Sequence, residues 1–235
     1  MEFDVGKWLK RSFTVPGDFC ALLDYVKSEI HLRGHVSSIK TVKADGSAGL
    51  VAEINPNFRD HVIAAMSASI SDAAERAAAQ MAVVAVTYIE GMLSEFFACL
   101  FYYNPAKMHQ FLTIGDQCGA VTLKAILDAQ SKKEILERLA DIAADRATQG
   151  KIGAVLDRLD QLTNISLSSK LKTNLVSLFE IRNRIVHEAG QPEVTSNQVS
   201  QYFDHMSKLL EHMTLVGLRC GIKINDPTRH DEERQ

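Results

Sequence analysis

Arginine holds anions and histidine moves protons near neutral pH. The run Arg182-Asn183-Arg184-Ile185-Val186-His187 sets one of each close together, with an amide beside the arginine. At about 100° per residue, Leu171, Leu175, Leu178, Phe179, Val186 and Ala189 gather on one face of a helix expected over 168–189. Arg182 falls in the middle of that face. A guanidinium is always charged and costly to bury unpaired, so it needs an acidic partner, or an interface or cleft where it meets an anion. His187 lies about 140° around the wheel from Arg182, in the last turn before Gly190. A lone histidine there is ordinarily solvated or stabilised by the helix dipole. The two side chains converge only through the reach of the arginine, a distorted helix end, or a second copy of the helix. Arg184 lies opposite the apolar centre and four residues after Glu180, the spacing of a surface ion pair.

A second helix supplies a candidate partner. Asp72 to Tyr103 is apolar nearly all round from Met81 onward, as expected for a buried helix. Thr87, Glu90 and Ser94 nevertheless line one stripe, which Gln80 extends. Three readings stand side by side: an internal polar seam between helices, Glu90 as the partner of Arg182, or a Glu90 that faces water.

Metal and nucleotide chemistry find less material. His31 and His35 are one turn apart with Glu29 nearby, but Gly34 interrupts and no HExxH occurs. His205 and His212 stand two turns apart among methionines, as surface or interface residues do. There is no pair of Glu-x-x-His motifs for a di-iron bundle, no P-loop, no dinucleotide fingerprint and no GxSxG. No metal site and no cofactor are expected.

The elements that position these residues can be read along the chain. Asp18 is a candidate N-cap for a helix over Phe19–Arg33, with Gly34 as its stop. His35–Val42 and Leu50–Ile54 flank an Asp45-Gly46 turn signal, the pattern of a short β-hairpin. Asn55-Pro56-Asn57 closes this segment. From Phe58 the pattern is helical. Asp72 with Glu75 reads as a capping box opening the helix to Tyr103, and Asn104-Pro105 as its end and the next start. Ser131 with Glu134 opens a helix to about Thr148, and Gly150 breaks it. A shorter helix covers Lys151–Leu162. The helix over 168–189 follows, stopped by Gly190 and Pro192, and Thr195-Ser196-Asn197 caps a last one to about Leu218. The chain thus divides into an N-terminal segment (1–57), a helical domain (58–224) and a charged, frayed tail (225–235). The fold class is all-α, a multi-helix bundle with a small N-terminal hairpin appendage.

Composition limits the function classes. Hydrophobic residues make up 46% of the 235, enough for a real core, and charged residues 23%, without a sign of global disorder. A net charge of −3 speaks against a broadly basic nucleic-acid binder, so any RNA contact is local or built by two chains. Cys20, Cys99, Cys118 and Cys220 form no CxxC pair and read as reduced thiols, which fits the cytoplasm. No secretory signal and no membrane span are expected.

With Arg182, Asn183 and His187 in the pattern R-N-x3-H, near the end of an amphipathic helix and followed by a final long helix, the chain resembles the HEPN (higher eukaryote and prokaryote nucleotide-binding) superfamily over roughly 60–220. That family carries an R-x4–6-H motif on a helix of an all-α bundle, and a polar residue commonly follows the arginine. An apolar helix carrying Tyr88-Ile89-Glu90 precedes the motif here, in the order of many such domains.

The resemblance implies a homodimer in which two motifs face each other across one composite site. It implies metal-independent endoribonuclease activity, in which the ribose 2′-OH attacks the adjacent phosphate and leaves a 2′,3′-cyclic phosphate and a 5′-OH. Arg182 would hold the phosphate and His187 would move the proton, with Asn183 positioning a hydroxyl or the histidine. Glu90 would orient Arg182, and Arg184 would add a phosphate contact. Many members are toxins or phage-defence effectors, some paired with a nucleotidyltransferase antitoxin. Gly46-Ser47 lacks the following Asp-x-Asp of such an enzyme, so an antitoxin would be a separate protein. The alternatives are a HEPN-fold module that binds nucleotide, RNA or a protein without catalysis, and a helical adaptor in which Arg182 is only an ion-pair residue.

Overall fold

A nearly unbroken run of Ala, Val, Ile, Leu, Met and Phe between Ala78 and Phe101 cannot stay in water, and it forms the centre of the molecule. The computed structural model describes residues 1–53, 56–112, 131–187 and 194–227, apart from the side chains of 56 and 196. Among them the protein is an all-α multi-helix bundle with very short strands. The helices are α1 (Val5–Lys27), α2 (Glu29–Ser37), α3 (Pro56–Tyr103), α4 (His109–Leu112), α5 (Lys132–Ala147), α6 (Ile152–Thr163), α7 (Ser169–His187) and α8 (Ser196–Arg219). α3 has 48 residues and so runs about 72 Å. It packs against α1, α5, α7 and α8, and its Ile89, Met92, Phe96, Phe97 and Leu100 are fully buried. Its Asn57–Tyr103 portion has the length and apolarity to cross a membrane. However, 56% of its most apolar window is buried within the protein, as in a core helix.

Several sequence-read boundaries hold. Ser131 caps α5, its hydroxyl accepting from Glu134 N (3.2 Å). Thr195 and Gln198 make a reciprocal capping box on α8. Gly150, in the left-handed region at φ 99°, separates α5 from α6, and Arg158 ties the turn by donating to the Ala147 and Gln149 carbonyls (both 2.6 Å). The hairpin exists as β2 (Lys40–Val42) paired antiparallel with β3 (Ala48–Leu50), around Gly46 at φ 81°. It is tighter than expected, because Val51–Glu53 turns into a 3-10 segment.

Others do not hold. α1 begins at Asp4, whose side chain accepts from Lys7 N (2.9 Å), not at Asp18, and Pro16 lies inside it. The burial of Val5, Trp8 and Leu23 along this helix outweighs the local Pro16-Gly17 break. Gly34 does not stop a helix either; α2 runs through it to Ser37. Asp72 and Glu75 cap nothing, because α3 is continuous from Pro56. A capping pattern is a local signal, and no helix breaker precedes Asp72 closely enough to create an end there. The expected end at Asn104-Pro105 does hold, since α3 stops at Tyr103 and a 3-10 turn (Pro105–Met108) starts after Asn104, followed by α4; only the side-chain cap is missing, because the Asn104 amide donates to the Leu100 and Cys220 carbonyls (both 3.1 Å). The expected stop at Gly190 and Pro192 and most of the tail lie outside the described residues.

The N-terminal segment contributes to two cores. Phe3, Val5 and Trp8 join the main core, and β1 (Phe3–Asp4) pairs in parallel with β4 (Ile224–Asn225). α2, the Val51–Glu53 segment and the first half of α3 enclose a smaller cluster of Leu32, Val36, Val51 and Ile63.

Candidate functional site

From Ala78 onward α3 is mostly buried, with one exception that matters. Gln80, Thr87 and Glu90 are exposed and Ser94 half-buried, so the polar stripe faces outward and is not an internal seam. α7 packs beside α3 and reaches this stripe at Glu90. Its Leu171, Leu175 and Leu178 are buried and anchor the first half. In its second half Ile181 and Ile185 still pack against the main core, whereas Val186, which continues the expected apolar face, is 53% exposed. Arg182 therefore sits half-buried between the flank of α7 that packs on the core and the flank that faces solvent.

There Arg182 donates through Nη2 to Glu90 Oε1 (2.9 Å) and through Nη1 to its neighbour Asn183 Oδ1 (3.1 Å). The pair is open: the arginine side chain is 26% and the Glu90 side chain 49% exposed. Arg182, Asn183 and Glu90 are thus brought together, as the partner reading of Glu90 expected. A guanidinium has five N–H donors and a carboxylate about four acceptor positions, so both partners retain capacity for a ligand.

Arg184 and His187 stand apart from that group. Arg184 is exposed and forms no ion pair with Glu180 among the described residues; its charge acts instead on Tyr202 of α8. Burial raises the Tyr202 phenol above its ordinary range, and the Arg184 charge opposes that rise. The Tyr202 hydroxyl is buried without a partner among the described residues. Its nearness to Arg184 is a crossing of two helices and leaves no mark in the local sequence. His187 is exposed at the end of α7. Five residues along a regular helix separate it from Arg182 by about 7.5 Å of rise and about 140° of rotation.

A cavity of about 360 Å³ adjoins the Glu90–Arg182 pair. Glu90, Leu93 and Ser94 of α3, Thr148 and Gly150 of the α5–α6 turn, Ile152 and Val155 of α6 and Phe179 of α7 line it. The sequence pointed to Glu90 and Ser94 through their stripe. It gave no signal for the turn residues, which reach the site only because α5 and α6 fold back across α3. Lys172 fixes α6 to α7 through Asp157 and Asp160 (2.7 Å each), which holds the cavity wall.

Burial pushes the Cys99 thiol up to about 12, which leaves no thiolate nucleophile there near neutral pH. No group of three or more His, Cys, Asp or Glu that could hold a metal occurs among the described residues. His31 stacks on Tyr25, with ring centroids 4.3 Å apart. No family model, no curated protein and no solved structure matches this chain.

Proposed function

We propose that this chain is a HEPN-type endoribonuclease that cleaves RNA without a metal, at a site completed by a second copy of itself. The observation that carries this reading is a half-open guanidinium at the end of α7, held by Glu90 and Asn183, within the R-N-x3-H pattern. Held at two points, Arg182 presents its remaining N–H groups in a fixed orientation to a phosphate. His187 lies too far around the helix to share one phosphate comfortably within the same chain. The exposed Val186, one turn from Arg182, gives this face an apolar contact for a partner copy.

In such a dimer one imidazole takes the 2′-OH proton as the oxygen bonds to phosphorus. The P–O5′ bond breaks, and the same imidazole, now protonated, gives the proton to the leaving oxygen. Arg182 stabilises the charge on the non-bridging oxygens. Asn183 and Glu90 act as positioning residues, and Arg184 would add a contact to a neighbouring phosphate. A cytoplasmic toxin or phage-defence role fits this chemistry, with a separate neutralising partner such as a nucleotidyltransferase antitoxin.

A second reading, a HEPN-fold module that binds RNA, nucleotide or protein without turnover, is favoured by one fact: Arg182 already has an acidic partner. Cleavage of RNA by the purified full-length protein in EDTA separates the two. The ribonuclease reading expects 2′,3′-cyclic phosphate and 5′-OH ends, and a loss of at least 100-fold in Arg182→Ala and in His187→Ala (on the order expected for a general acid-base group). Absence of cleavage, or cleavage unchanged in both variants, moves the assignment to the binding module.

A further inference from the structure

Taking the phosphate position at Arg182 from the reading above, we infer that the cavity beside it is a base-binding subsite selective for guanine. Its volume, about 360 Å³, lies within the range of small-molecule sites, about 300–1,000 Å³. Leu93, Ile152, Val155 and Phe179 give it apolar walls, with one aromatic surface on which a base stacks. Stacking accepts every base, so selection falls to the polar groups.

Those groups are few and of defined character. The Thr148 hydroxyl is engaged with the Ala144 and Asp145 carbonyls (2.9 and 3.1 Å). Ser94 makes no hydrogen bond among the described residues, and Glu90 uses one oxygen on Arg182. The Glu90 carboxylate only accepts, and the Ser94 hydroxyl donates one turn further along the same face of α3. A ligand edge that matches carries two adjacent N–H donors followed by an acceptor. Guanine has that order in N2–H, N1–H and O6. Adenine and cytosine turn a ring-nitrogen lone pair toward the carboxylate, and uracil flanks its single N–H with two carbonyls. An acidic residue shared between the base and Arg182 would also couple base selection to the placement of the phosphate.

The test is calorimetric titration of the full-length protein with the four ribonucleoside 3′-monophosphates. Guanosine 3′-monophosphate is expected to bind at least tenfold tighter than the other three. Ser94→Phe, which fills the cavity, should abolish the preference. Ser94→Ala, which removes only the hydroxyl, should weaken guanosine binding severalfold with little change in the rest. Equal binding of all four, binding of none at millimolar concentration, or a guanine preference that survives Ser94→Phe would overturn the inference. The readout is independent of turnover. Guanine preference without RNA cleavage leaves the subsite standing and removes the ribonuclease, whereas cleavage spread evenly over all bases with no nucleotide preference does the reverse.

Discussion

The bonds that Arg182 makes determine what replacing it will do. Its ion pair with Glu90 is partly exposed on both sides, and such pairs contribute about 0–1 kcal/mol. Arg182→Ala should therefore cost less than about 1 kcal/mol in urea unfolding, so lost activity could not be assigned to lost fold. A cost above about 3 kcal/mol would instead mark Arg182 as a structural ion-pair residue, as in a helical adaptor. The sequence reached this pair through two independent patterns: an arginine on an apolar face that needed an anion, and a glutamate in a polar stripe of an apolar helix. It did not foresee that Val186 faces solvent while Ile181 and Ile185 pack against the core, because Val186 continues the same period and only tertiary packing decides which flank is covered.

Between elements, α1 approaches α3 closely at Gly91. A Cβ added at Gly91 would lie 3.1 Å from the Trp8 ring, which is itself 97% buried and carries Lys7 and Arg11 over its faces. Gly91→Val should consequently destabilise by about 1–3 kcal/mol through overpacking. Trp8 is the protein's single tryptophan, so its emission follows the unfolding directly; an unchanged denaturation midpoint would mean that α1 yields without cost. Helix starts with a complete chemical signature, Ser131 with Glu134 and Thr195 with Gln198, were readable. Helix continuity through Pro16, Gly34 and Asp72 was not. Breakers and caps act over one turn, whereas the burial of Val5, Trp8 and Leu23 on α1 and of the Ala78–Phe101 part of α3 is set by packing across the fold.

The whole molecule stores a pH dependence in α8. Burial holds His205 and His212 below their ordinary 6.5; Lys208 lowers His205 further, while Asp204 and Asp160 act in the opposite direction. The folded state therefore disfavours the charged imidazoles, and the unfolded chain binds more protons as pH falls. Their contribution is fully present above 6.5 and is lost as pH falls from 6.5 toward the depressed folded values. The melting temperature should drop between about pH 7.5 and pH 5. His205→Gln/His212→Gln should lose less over the same interval, and parallel losses would rule out these histidines as the cause.

At the same scale, the rotation between Arg182 and His187 on α7 makes the second copy essential to the proposed site. The most direct test mixes the Arg182→Ala and His187→Ala proteins, after partial unfolding and refolding to exchange subunits, and measures RNA cleavage in EDTA. Each variant alone should be inactive, and the mixture should regain cleavage, because a mixed dimer joins an intact Arg182 from one chain to an intact His187 from the other. A mixture that stays inactive although mixed dimers form and the wild type cleaves, or a single variant that cleaves like the wild type, would contradict a site built across two chains.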